Sequence, residues 1–140
     1  MKKIICVTVC LLLVSGVLLL GFGGFGSNVK NAVTRDVPSE IYSEEDIESA
    51  IKTIKTEFAF RWRGCELLEI YYAGDEMTAE CQEWAERYDA DEAIVLKSTF
   101  KVNRRDSAAT LNEGDTYDWW NWILVRSEGG RWKHVDHGFI

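Results

Sequence analysis

The sequence predicts an α+β protein: an apolar N-terminal helix, followed by one domain in which a curved antiparallel sheet of about four strands packs on a long helix. Three observations predict it. Ile4–Leu20 is mostly Ile, Val, Leu and Cys, residues 44–60 carry apolar side chains at helical spacing, and the chain beyond residue 64 alternates in strand-length pieces. With 140 residues there is room for one domain. The expected boundaries are an export signal or membrane anchor at 1–26, a flexible tether at 27–40 and the domain at 41–140.

The N-terminal segment sets the expected location. Lys2 and Lys3 precede an uncharged stretch that lasts until Lys30, with glycines and phenylalanines at 21–26. A positive start, an apolar run and small residues behind it make an export signal. Counted through the Gly/Phe part, the run also reaches the roughly 20 residues that span a bilayer. Both alternatives leave Lys2 and Lys3 inside and the domain extracytoplasmic, membrane-anchored or secreted.

The elements follow in order. Gly21–Glu40, ending with the lone proline Pro38, reads as a tether. Ser43 and Asp46 resemble a capping box, and Ile47, Ala50, Ile51, Ile54 and Phe58 then form one stripe, so a helix is expected over 44–60, stopping before Gly64. Cys65–Tyr72 is the first strand, with Leu68, Ile70 and Tyr72 on one face and Leu67, Glu69 and Tyr71 on the other. Thr78 is placed to cap a second helix, Ala79–Tyr88. Glu92–Val102 is a strand with Ile94, Leu96, Phe100 and Val102 inward. A polar loop, Asn103–Asp115, leads to a long strand, Tyr117–Ser127, which is apolar on both faces. Gly129 and Gly130 mark a hairpin turn, and Trp132–His137 is the last strand.

Several segments look familiar together: Tyr42-Ser43-Glu44-Glu45-Asp46-Ile47, residues 84–93, and the ending Gly129-Gly130-Arg131-Trp132-Lys133-His134-Val135-Asp136-His137-Gly138. They resemble small exported proteins of Gram-positive bacteria, from uncharacterised families with an NTF2-like (cystatin-like) fold. The resemblance covers most of Ile41–Phe139. It implies a cone-shaped domain with a cavity between helix and concave sheet, and no single function.

Charge narrows the partners. Beyond Lys3 there are 23 acidic and 14 basic residues, a net charge of −9. Nucleic acid and anionic headgroups need a basic face, so neither is an expected partner. A small ligand, a glycan, a protein or a second copy of the chain fits, with the membrane engaged through the N-terminal segment. Of four cysteines, Cys6 and Cys10 lie in the apolar run, leaving Cys65 and Cys81. Outside the cytoplasm these two can bridge, and two buried thiols are the alternative. Nothing in the sequence calls for a cofactor.

Two constellations carry possible chemistry. On a regular strand His134 and Asp136 share a face while His137 points away, so His134, Asp136 and a tyrosine such as Tyr117 are candidate acid/base residues. Metal binding is not expected there, because a third ligand on that face is missing from the local sequence. Tyr117, Trp119, Trp120 and Trp122 are the candidate binding residues: Trp120, Trp122 and Leu124 share one face, and Tyr117, Trp119, Ile123 and Val125 share the other. The expected function is a binding or accessory domain acting through a concave pocket or an aromatic sheet face. A small-molecule lyase or isomerase using the His/Asp pair is the alternative.

Overall fold

A computed structural model describes residues 28–104 and 110–140. The expected export segment and N-terminal helix, and the part of the polar loop at 105–109, lie outside the described residues. Among the described residues no helix is long and apolar enough to cross a membrane.

The fold is α+β, with a five-stranded open sheet in the order β1-β2-β3-β4-β5. The strands are β1 (Val33–Arg35), β2 (Cys65–Tyr72), β3 (Glu92–Val102), β4 (Thr116–Arg126) and β5 (Lys133–Gly138). Every pairing is antiparallel except β1 with β2. The helix α1 (Glu44–Arg61) begins at the expected capping box: the Ser43 hydroxyl accepts from the Asp46 N–H at 3.2 Å, and the Asp46 carboxylate accepts from the Ser43 N–H at 3.3 Å. Two donors that a helix start leaves open are thereby satisfied. The helix ends at Trp62, just before Gly64, whose φ of 84° a residue with a Cβ adopts at a cost.

The stripe Ala50, Ile51, Ile54 and Phe58 is buried against Leu67, Ile70, Ile94, Leu96, Phe100 and Trp122 of the sheet. Burying an Ile or Phe of this kind is worth about 1.5–3 kcal/mol each, and this is the main apolar cluster of the domain. The other face of the sheet is covered by two short helices, α2 (Asp75–Glu80) and α3 (Glu83–Arg87), through Cys81, Trp84 and Ala85 on Val95, Ile123 and Val125. Three layers result, with the sheet in the middle.

Four expectations are corrected. The stretch 27–40 is not simply a tether: Val33–Arg35 adds a fifth, parallel strand, and Asn28 donates through Nδ2 to the carbonyls of Phe58 and Trp62 at 3.3 Å. Those carbonyls belong to the end of α1, where helices leave acceptors open. The second helix is two short ones. It starts at Asp75 behind Gly74, and Thr78 is buried inside it, its hydroxyl accepting from the Val95 N–H. A cap residue drawn into the core leaves the start of the helix four residues earlier. Cys65 and Cys81 are free thiols, buried in clusters on opposite faces of the sheet, so the bridged alternative gives way to two buried thiols. Burial pushes both thiols up from their ordinary pKa, which makes them poor nucleophiles.

The fourth correction concerns faces. The register slips at three places: at Leu67/Glu69 on β2, between Ser98 and Phe100 against β4, and at Ile123/Leu124 against β5. Each slip adds one residue to one strand, and beyond it every side chain changes face relative to a plain alternation. Leu67 therefore joins Ile70 and Tyr72 under the helix, while Leu68 turns outward.

Candidate functional site

The slip on β4 matters most for the site. Asp118 and Trp119 together stand opposite Thr99 alone, and Trp119 has a φ of 57°. For a bulky L-residue this left-handed conformation is strained. Two side chains are re-aimed by it. Tyr117 crosses to the helix side, stacking on Phe100 at 5.3 Å and meeting Trp120 edge-on at 5.9 Å. Trp119 is turned out to solvent, 70% exposed. The expected pairing of Tyr117 with Trp119 on one face is therefore wrong, while Trp120, Trp122 and Leu124 do share the helix side. Ile123 and Val125 pack under α2 and α3 on the other.

Around Trp120 the rings form a continuous cluster. Trp62, from the end of α1, meets Trp120 at 6.0 Å and Trp122 at 5.1 Å, and Phe139 stands edge-on over Trp120 at 5.2 Å. Trp122 is locked into the core by its indole N–H, which donates to the buried Ser98 hydroxyl at 2.8 Å. Trp120 differs. It is only 8% exposed, yet among the described residues its Nε1–H has no acceptor. A buried donor left unpaired costs about 1–3 kcal/mol, so a group that supplied the acceptor would recover it. Phe139 and Ile140, 65% and 71% exposed, border this end.

On β5 the third slip places Val135 and Asp136 together on the outer side. Asp136 lies opposite Ile123, and His134 opposite Leu124 and His137 opposite Trp122 both turn to the helix side. His134 and Asp136 do not share a face, contrary to the plain alternation, and His137 does not point away. The carboxylate beside His134 is instead Glu57 of α1, its Oε1 2.8 Å from His134 Nδ1. His134 Nε2 lies 3.2 Å from His137 Nδ1 and 3.0 Å from the Asp136 carbonyl oxygen. His137 also packs on Trp62 and stacks on Trp120. Burial, and then the neighbouring His134, hold His137 below the ordinary imidazole pKa. The Tyr117 hydroxyl accepts from the Asn112 N–H at 3.0 Å, so it too has a structural partner.

The sequence pattern points to both histidines and to the β4 indoles of the cluster, but not to Glu57 or Trp62. Glu57 lies three residues beyond Ile54 and one before Phe58, at the margin of the apolar stripe, which is the only signal it gave. A separate open groove of about 520 Å³ lies between residues 34–39 and the first half of α1, lined by Val37, Pro38 and Ile47 with the acids Asp36, Glu44 and Glu48. Between the second half of α1 and the sheet, the space is filled by Phe58, Trp62, Phe100 and Trp122. Among the described residues no three side chains of His, Cys, Asp or Glu gather as a metal cluster. Comparison with family models, with curated proteins and with solved structures finds no match to this chain.

Proposed function

We propose that this chain is an extracytoplasmic binding or accessory domain of NTF2-like (cystatin-like) architecture, non-enzymatic, that takes its ligand on the aromatic end of its sheet. Trp119 carries the proposal: a tryptophan kept in a strained bulge so that its indole faces water. Strain of this kind costs about 1–3 kcal/mol and persists chiefly where function uses it. Beside it, Trp120 offers an unpaired N–H, and Phe139 offers an exposed ring. Exposed rings near an indole N–H that lacks an acceptor suit a ligand that has both a ring face and an oxygen acceptor, and a glycan has both. The net charge of −9 beyond Lys3 weighs against nucleic acid and anionic lipid. Export or anchoring rests on the pattern of Lys2, Lys3 and the apolar run behind them.

The lyase or isomerase alternative has less support, because Asp136 lies across the sheet from His134 and the Tyr117 hydroxyl is occupied. The test is calorimetric titration of the full-length chain with N-acetylhexosamine oligosaccharides. Trp119→Ala should abolish binding, and Trp120→Phe, which keeps the ring and removes the donor, should weaken it about 5–10-fold. Equal affinity in the parent and both variants would remove the aromatic end as the binding surface.

A further inference from the structure

The histidine pair supports a second site, whatever the indoles bind. Three lone-pair donors lie beside β5: His134 Nε2, with His137 Nδ1 at 3.2 Å and the Asp136 carbonyl oxygen at 3.0 Å from it. Which ring nitrogen donates depends on the tautomers, and no single ring proton can serve all three atoms, whereas a metal ion can bond to all three at once.

We propose that His134 Nε2, His137 Nδ1 and the Asp136 carbonyl oxygen form a binding site for one divalent transition ion of the imidazole-preferring class, Zn²⁺ or Cu²⁺. Metal–nitrogen bonds of about 2.0–2.1 Å at tetrahedral angles put adjacent donors about 3.3 Å apart, close to the spacings found here. The third donor is a main-chain carbonyl oxygen. Behind the site, Glu57 Oε1 lies 2.8 Å from His134 Nδ1 and so leaves Nε2 as the nitrogen that binds. A carboxylate behind a ligating histidine fixes its tautomer and raises its basicity. Trp62, Trp120 and Trp122 wall the pair on the core side, and the exposed His137 edge gives the ion a way in. The remaining coordination position faces water or a ligand.

The experiment titrates the metal-free full-length chain with Zn²⁺, and separately with Cu²⁺, by calorimetry and by ¹⁵N spectroscopy of the imidazoles. The chain has two histidines, so each imidazole signal has one of two owners. One ion should bind per chain, moving the His134 Nε2 and His137 Nδ1 resonances, and Mg²⁺ should do neither. Glu57→Gln should weaken binding about 10–100-fold. His137→Ala changes an exposed ring, so its fold can be verified by circular dichroism, and it should abolish the site. Absence of saturable binding at millimolar Zn²⁺ and Cu²⁺, or unchanged affinity in folded His137→Ala, would overturn the proposal.

Discussion

The two ends of α1 are built differently. At its start, Arg126 from the end of β4 bonds to Asp46 at 2.8 Å and to Glu92, and lies over the Trp132 ring at 4.2 Å. Trp132 in turn donates its Nε1–H to the Asp46 carbonyl oxygen at 3.1 Å, and the Tyr42 hydroxyl donates to the Ala93 carbonyl oxygen at 2.8 Å. Each aromatic ring there with a polar atom has used it. At the other end of the helix the rings are more numerous, but Trp120 Nε1 is unpaired, Trp119 and Phe139 face water, and His134 Nε2 lies against both His137 and a carbonyl. The same residue types thus close one end of the domain and leave the other with exposed rings and an unpaired N–H. The difference teaches that satisfaction of polar atoms, rather than aromatic content, separates the closed end from the one proposed to bind.

Both ends hang on the middle of the helix, so the largest effect should come there. Ile54 is fully buried and Ile51 nearly so, and either changed to Ala should cost about 2–5 kcal/mol in chemical denaturation. The double change should exceed the roughly 5–10 kcal/mol available to a small domain and unfold it. Lys52 and Lys55 lie off the stripe, and Ala at either should shift stability by less than about 0.5 kcal/mol. Equal effects at the two pairs would mean that the helix does not organise the core.

Next in size is the closed end. Arg126→Ala leaves two carboxylates without their cation and strips a ring of its cover. Loss of one member of such a cluster should cost about 3 kcal/mol, at the low end of the range for buried pairs because Asp46 and Glu92 still reach water. A cost near zero would show the closed end to be as permissive as the open one.

The two ends should also separate by pH. The Arg126 hydrogen bond holds Asp46 below the ordinary carboxylate value, so its contribution is present above about pH 4 and is lost as pH falls through the folded value. His137 is also depressed, by burial first. The folded chain then binds fewer protons there than the unfolded one, and stability should decline as pH drops below about 6.5. His137→Ala should remove only the decline nearer neutrality, and Arg126→Ala only the acidic one. If either substitution removes both, the ends are coupled.

How much of this was legible follows from what alternation can and cannot carry. The capping box, the Ala50–Phe58 stripe, the four long strands and the doubly apolar β4 are all periodic signals read within one element, and they hold to within one or two residues at their ends. The parallel strand at 33–35 is three exposed residues with no pattern of their own, ordered by pairing with Glu69–Tyr71. The faces of Leu67, Tyr117 and Asp136 were misread for one shared reason. A bulge is set by how two strands pair, and nothing in a single strand announces that one residue is extra. Because both candidate residue sets lay beyond bulges, the fold was far more readable than the site.

The smallest expected effect on stability belongs to the residue with the largest expected effect on binding. Trp119→Ala should change unfolding free energy by less than about 0.5 kcal/mol, since its ring faces water and its strained backbone would remain. The measurement that tests the central claim most directly is the spectrum of the indole N–H groups, of which the chain has six. On titration with N-acetylhexosamine oligosaccharide, Trp119 and Trp120 should move together and saturate, while Trp132, whose N–H is already bonded at the closed end, stays in place. Movement of Trp132 with Trp119 and Trp120 unchanged would contradict the account, by putting the ligand at an end of the molecule that its polar atoms had already closed.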